Sequence, residues 1–227
     1  MNSKKRLLIM FFFITSIVLM TYAWTTAGEK KKNTPKAKKT QELKEYKGEK
    51  LGSTKDFREN SIEGSQKIDI ENYRLNITGH VEKTLSLKYA EIEKMKHHKK
   101  VVTLNCVEGW SVKILWEGVY MRDLIDMVKP KKEAVTVIFH SPGGYSTSLP
   151  LDYFMKHNII LADQMNGLTL PPERGFPFQL VAEGKWGYKW AKWITTIEFS
   201  DNPNYKGFWE SRGYSNSGDK KNYFYDH

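Results

Sequence analysis

Residues 101–111 read VVTLNCVEGWS. The β-branched first half predicts an extended strand from Val101 to Val107. On it, Val102, Leu104 and Cys106 share one face by the two-residue period of a strand. Cys106 thus stands at the exit of a buried strand, just before the Gly109 turn, and a second strand follows from Trp110 to Leu115. It is the chain's single cysteine. One thiol makes no internal disulfide, and without a CxxC or CxxCH pattern neither a c-type haem nor a cysteine-rich zinc or iron–sulfur site can be built. By position alone, Cys106 reads as an inert buried thiol, since free cysteine is among the most buried residue types; the rest of the chain changes that weighting.

Outward from this strand the pattern is mixed. Tyr73 to Ile77 alternates apolar and polar residues as a half-buried strand does, and Gly79 closes it. Leu87, Ala90, Ile92 and Met95 predict a short amphipathic helix, and Val119 to Val128 another, ended by Pro130. Val135, Val137 and Phe139 mark a buried strand turned by Ser141-Pro142-Gly143-Gly144. Pro150 to His157 reads as helical and Ile159 to Met165 as extended, with Asn166-Gly167 a tight hairpin turn. Phe178 to Ala182 and Ile194 to Phe199 are late strands. Many short strands with few short helices predict a mixed α/β, α+β fold.

The chain has 227 residues and a formal charge of +10. Lys4, Lys5 and Arg6 carry +3, and the segment Glu29–Lys50, with nine lysines and four glutamates, carries +5. The remainder is nearly neutral, which argues against a nucleic-acid partner. After Lys4-Lys5-Arg6 comes the uncharged run Leu7 to Trp24, long enough for a signal anchor or a signal peptide over residues 1–27. Residues 28–50, rich in Lys, Glu and Thr, predict a flexible spacer. The domain is expected over 51–205, with a C-terminal tail over 206–227. This organisation predicts a protein anchored to the membrane by its N-terminal segment, or exported, with the domain on the extracytoplasmic side.

Four segments carry a family resemblance: NCVEGWS (105–111), GYSTSLPL (144–151), Asn166-Gly167 with PPERGFP (171–177), and KWGYKWAKWI (185–194) followed by Ile197-Glu198-Phe199. Together they resemble the sulfite-oxidase-like molybdopterin oxidoreductase family over roughly residues 55–205. The short single-domain bacterial and archaeal members are the most similar, a group that includes the catalytic subunit of a periplasmic methionine-sulfoxide reductase. The resemblance implies a sulfite-oxidase-type fold and a molybdenum–molybdopterin cofactor with Cys106 as its one protein ligand. A soft thiolate suits a metal already bound by dithiolene sulfurs. It further implies that Trp190, Ala191 and Lys192 line the pterin phosphate and that Ser141 makes a hydroxyl contact. Asn60 falls at an upstream pterin contact. Gly187 would let the backbone approach the cofactor, and Lys189 would add charge. Glu108, beside the cysteine, would orient the ligand from outside.

This chain departs from the family pattern in two places. Members commonly carry Asn or His where it has Arg174, and Arg where it has Gln179. Arg174 could reach the same phosphate across the Gly175-Phe176-Pro177 turn, or it could face the substrate. The family's usual twin-arginine export signal is replaced by Lys4-Lys5-Arg6. The implied activity is oxygen-atom transfer to or from a small sulfite- or sulfoxide-like molecule. Electrons would pass to or from a separate cytochrome or membrane redox subunit, since no haem motif is present. Two rivals stand beside it: a cysteine hydrolase pairing Cys106 with His140, and a tethered pterin-binding module without turnover.

Overall fold

The structure is a computed structural model and describes residues 41–225. The expected signal anchor or signal peptide, and most of the expected spacer, lie outside the described residues. Strands β1 (Glu45–Tyr46) and β2 (Glu49–Lys50) form a small hairpin. Then follow β3 (Leu75–Gly79), β4 (Leu85–Leu87), helix α1 (Tyr89–Ile92), β5 (His98–Asn105) and β6 (Ser111–Tyr120). Helix α2 (Met121–Val128), β7 (Thr136–His140), β8 (Ser146–Pro150) and α3 (Leu151–Lys156) come next. The last strands are β9 (Ile160–Met165), β10 (Leu168–Thr169), β11 (Gln179–Val181) and β12 (Thr196–Ser200). The α+β expectation is met.

Two five-stranded sheets carry the core. One has the order β10-β9-β6-β5, with β11 also on β9; the other runs β4-β3-β12-β7-β8. The β3–β12 pair is parallel, and every other pairing among the described strands is antiparallel. Val102, Leu104 and Cys106 are buried on one face, as the period predicts. The hydrophobic periodicity placed a helix from Val119, whereas β6 runs on to Tyr120. Val119 and Tyr120 pair with Leu161 and Ile160 of β9, and that sheet pairing overrides local helical propensity. The β6–β9 register shifts between Glu117 and Gly118. There the strands come so close that a Cβ on Gly118 would lie 2.1 Å from the Leu161 carbonyl oxygen, so only glycine fits.

Asn166-Gly167 forms the expected turn, both residues at positive φ (48° and 79°), as a two-residue hairpin requires. The buried Asn166 side chain also does more. Its Oδ1 accepts from the Leu115 N–H at 3.0 Å, and its amide donates to Glu42 at 2.9 Å and to the Gly52 carbonyl at 2.8 Å. Glu42 accepts in addition from the Thr54 N–H at 2.6 Å. The spacer expectation therefore fails for its last residues: 42–50 are hydrogen-bonded into the domain, which begins before residue 51. Composition misled here because the attachment is polar.

The expected C-terminal tail is likewise part of the domain. The Phe208 N–H donates to the Ser146 carbonyl, and the Trp186 N–H to the Gly218 carbonyl. Glu210 is fully buried, where it meets Lys189 and the Thr147 hydroxyl. A buried carboxylate must be paired, and this one locks residues 207–215 against β8.

Candidate active site

Cys106 leaves β5 into a tight turn in which its N–H donates to the Trp110 carbonyl and its carbonyl accepts from the Gly109 N–H. The Asn60 amide donates to the Cys106 sulfur at 3.4 Å. Burial pushes the thiol up; the N–H groups of Glu108 and Val107 and the Asn60 amide work the other way, while the Glu108 charge adds to the rise. The Asn60 amide and these neighbouring N–H groups favour a thiolate once a cation replaces the proton.

The facing wall is the segment 185–193. Asn105 and Trp186 form an isolated parallel bridge. A Cβ on Gly187 would sit 3.3 Å from the Asn105 carbonyl oxygen and 3.5 Å from the Cys106 Cα. In this structure, then, the smallness of Gly187 serves a close approach to the cysteine turn. The Tyr145 hydroxyl donates to the Tyr188 carbonyl at 2.5 Å, and the Trp190 indole to the Lys185 carbonyl at 3.1 Å. The Ser141 hydroxyl donates to the Lys192 carbonyl at 2.6 Å, so it fixes the backbone that carries Lys192.

Between these walls lies a cavity of about 580 Å³. It brings together Asn60, Cys106, Gly187, Trp190 and Lys192 of the residues singled out from sequence, with Glu108 beside the sulfur. The other five do not line it. Ser141 and Ala191 support it from behind, Ala191 by accepting from the Leu180 N–H. Gln179 is buried in β11 opposite Ala162. Lys189, expected to offer charge to a phosphate, is fully buried with its ammonium on Glu210 and on the Ser148 carbonyl. Arg174 is buried, with its guanidinium over the Phe57 ring and 3.0 Å from Glu59.

Glu59 is a residue that sequence reasoning missed. Its carboxylate bridges Arg174 at 3.0 Å and Lys192 at 3.1 Å. Burial opposes its ionisation, but bonds from Ser61 and the Lys192 charge outweigh that and hold the carboxyl below the usual range. Burial pushes Lys192 down, opposed by Glu59. Also missed were Phe208, Trp209, Arg212 and Tyr214, which line the cavity from the C-terminal segment. Their one signal was the density of aromatic residues after Phe199. His140 lies away from the cavity and meets Glu198 at 2.8 Å, so the base that a cysteine hydrolase needs is not beside Cys106.

The residues fit a chelated metal better than a bare one. Among the described residues no group of three His, Cys, Asp or Glu could hold a metal ion. A metal that brings its own ligands needs only the thiolate of Cys106. The cavity volume lies within the about 300–1,000 Å³ of small-molecule sites. Trp190 and the closely approaching backbone at Gly187 border it, and Lys192 offers charge.

The comparisons agree with this chemistry. The family model described as oxidoreductase molybdopterin binding domain matches residues 62–209. The uncharacterized oxidoreductase YuiH of Bacillus subtilis is 35% identical over 152 residues, covering 66% of this chain and 76% of its own. The protein-methionine-sulfoxide reductase catalytic subunit MsrP of Campylobacter jejuni is 32% identical over 164 residues, covering 65% of this chain and 55% of its own. The putative protein-methionine-sulfoxide reductase subunit YedZ1 of Azospira oryzae is 30% identical over 150 residues, 66% of this chain and 57% of its own. The chain thus spans little more than half the length of these last two. Among solved structures, the sulfane dehydrogenase SoxCD of Paracoccus pantotrophus shares the fold, with a TM-score of 0.60 at 23% identity over 67% of this chain and 43% of its own.

Proposed function

This chain belongs to the oxidoreductase molybdopterin-binding domain family, an enzyme family with a molybdenum cofactor, and on that premise we propose that it transfers an oxygen atom to or from a small sulfite- or sulfoxide-like substrate. A separate redox protein, a cytochrome or a membrane subunit, exchanges the electrons. When bound, the cofactor supplies the two-electron oxygen-transfer chemistry. The protein's part is to hold, orient and enclose.

The observation that carries the reading is the Asn60 amide on the Cys106 sulfur at the wall of the cavity. Cys106 is the protein's one ligand to the metal. Asn60 and the N–H groups of Val107 and Glu108 orient and stabilise its thiolate, as outer partners of metal ligands do. Trp190 and Gly187 border the pterin, and Lys192, set by Ser141, meets its anionic end. Arg174 acts through Glu59, which it holds beside Lys192. Lys189 and Ala191 keep the wall in place from inside the core. The aromatic side chains of the C-terminal segment exclude water from the substrate end.

The N-terminal run Leu7 to Trp24 supports an anchored or exported protein with its domain on the extracytoplasmic side. Among the described residues, no helix is long and apolar enough to cross a membrane.

The test is Cys106→Ser, assayed with a reduced dye against sulfoxides and with an oxidised dye against sulfite. Loss of turnover in a folded protein is the expected result, because a hydroxyl is a harder, poorer ligand. Full turnover in the serine variant would show that Cys106 is not the ligand.

A further inference from the structure

The cavity has two cations on its walls, Lys192 and Arg212. Lys192 is 3.1 Å from Glu59, which it shares with Arg174, and in the proposed reading it meets the cofactor's anionic end. Arg212 differs. Its hydrogen bonds go to the Phe208 carbonyl at 2.6 Å and the Ser211 hydroxyl at 3.3 Å, both from one terminal nitrogen. Its guanidinium stacks on the Phe208 ring at 3.6 Å. Among the described residues no carboxylate pairs with it. A stacked guanidinium keeps its plane fixed and its outer N–H groups presented, ready for bidentate donation to an anion.

The segment that bears Arg212 is held with unusual firmness for the end of a domain. Glu210, two residues earlier, is fully buried on Lys189, and Lys189 precedes Trp190 of the cavity wall. The Tyr188 hydroxyl donates to the Ser215 carbonyl at 2.7 Å. Tyr214 lines the same cavity, and its bond to Tyr225 and burial push its hydroxyl up. Arg212 is therefore held on the cavity wall by a segment anchored through a buried ion pair, whereas the backbone of Lys192 is fixed by Ser141.

We infer that Arg212 is a specificity-determining residue that recognises an anionic group, a carboxylate or an oxyanion, on the substrate, with Phe208, Trp209 and Tyr214 covering the substrate's apolar part. This rests on the proposed oxygen-transfer reading and narrows its substrate to one carrying a negative charge next to an apolar body.

The test uses the oxidised holoenzyme without reductant, so that binding is measured apart from turnover. The probes are methylsulfinylpropanoate, an anion, and its neutral carboxamide, titrated by tryptophan fluorescence or calorimetry. The anion is expected to bind about tenfold more tightly than the amide, the worth of one charge-assisted hydrogen-bonded contact. Arg212→Gln should remove that preference, and Arg212→Lys should keep part of it. Molybdenum and pterin content, measured on the same preparations, separates substrate from cofactor. A fall in cofactor content in Arg212→Gln would place Arg212 on the cofactor's own phosphate and overturn the inference. Equal affinity for the two probes, or binding of neither, would also overturn it. None of these outcomes depends on turnover, so failure of the oxygen-transfer reading would show separately, in the Cys106→Ser assay.

Discussion

At the scale of single residues, the sulfur of Cys106 is defined by what points at it. Asn60 approaches from a loop 46 positions away in sequence. Outer partners of a metal ligand typically matter by about tenfold to a hundredfold. Asn60→Leu should therefore lower molybdenum occupancy or turnover by about that factor, read by metal analysis beside a dye-linked assay; a variant equal to wild type in both would remove Asn60 from the site. Cys106, Trp190 and Lys192 were legible because each sits in a short segment whose order and spacing resemble the family, and Asn60 through a separate upstream match. Glu59 and Arg212 were not. A bridging carboxylate pairs with residues more than a hundred positions away, and such pairing leaves no periodicity or spacing to read. The displaced cation at Arg174 has its physical counterpart in Glu59. A buried guanidinium needs a charged partner, whereas the neutral Gln179, inside β11, does not.

At the scale of elements, polar contacts rather than apolar ones attach the pieces that composition set aside. The buried Lys189–Glu210 pair joins the C-terminal segment to the cavity wall. Breaking a buried pair from one side costs about 3–5 kcal/mol, while replacing both partners with apolar residues costs far less. Lys189→Met should therefore be strongly destabilised in urea unfolding, and Lys189→Met with Glu210→Leu should recover most of the loss. A double variant as weak as the single one would show that the charge itself is required. A second attachment is pH-sensitive. His97 meets Asp163 of β9 at 2.9 Å and the Met95 carbonyl at 2.9 Å. The bond to Asp163 raises the imidazole from 6.5 to about 9, against the opposing effect of burial. A folded pKa above the unfolded one stabilises the charged form below about pH 6.5 and loses that contribution as pH climbs through 9. The urea midpoint should fall over that window, and His97→Gln should flatten this part of the profile; an equally steep fall in the variant would assign it to other groups. Strands with clean two-residue alternation, such as β5, were readable. The start of α2 was not, because pairing with β9 decides where β6 ends.

At the scale of the whole molecule, the domain is larger than hydropathy suggests at both ends. Deleting residues 1–40 should leave cooperative unfolding intact. Deleting 1–50 removes Glu42, with its bonds to Thr54 and Asn166. At about 1.5–3 kcal/mol for a hydrogen bond to a charged group, that longer truncation should lower stability measurably against the shorter one. Equal urea midpoints for the two would return residues 41–50 to the spacer. The fold class and cysteine site were legible because family segments and strand alternation survive in a linear reading, whereas closure of the cavity by residues 207–214 depends on contacts across the whole domain. The central claim is that Cys106 is the protein's ligand to molybdenum in that cavity. Molybdenum K-edge X-ray absorption on the holoenzyme and on cofactor-loaded Cys106→Ser tests it directly. The account predicts one fewer sulfur neighbour around the metal in the serine variant; an unchanged sulfur shell at equal molybdenum content would contradict it.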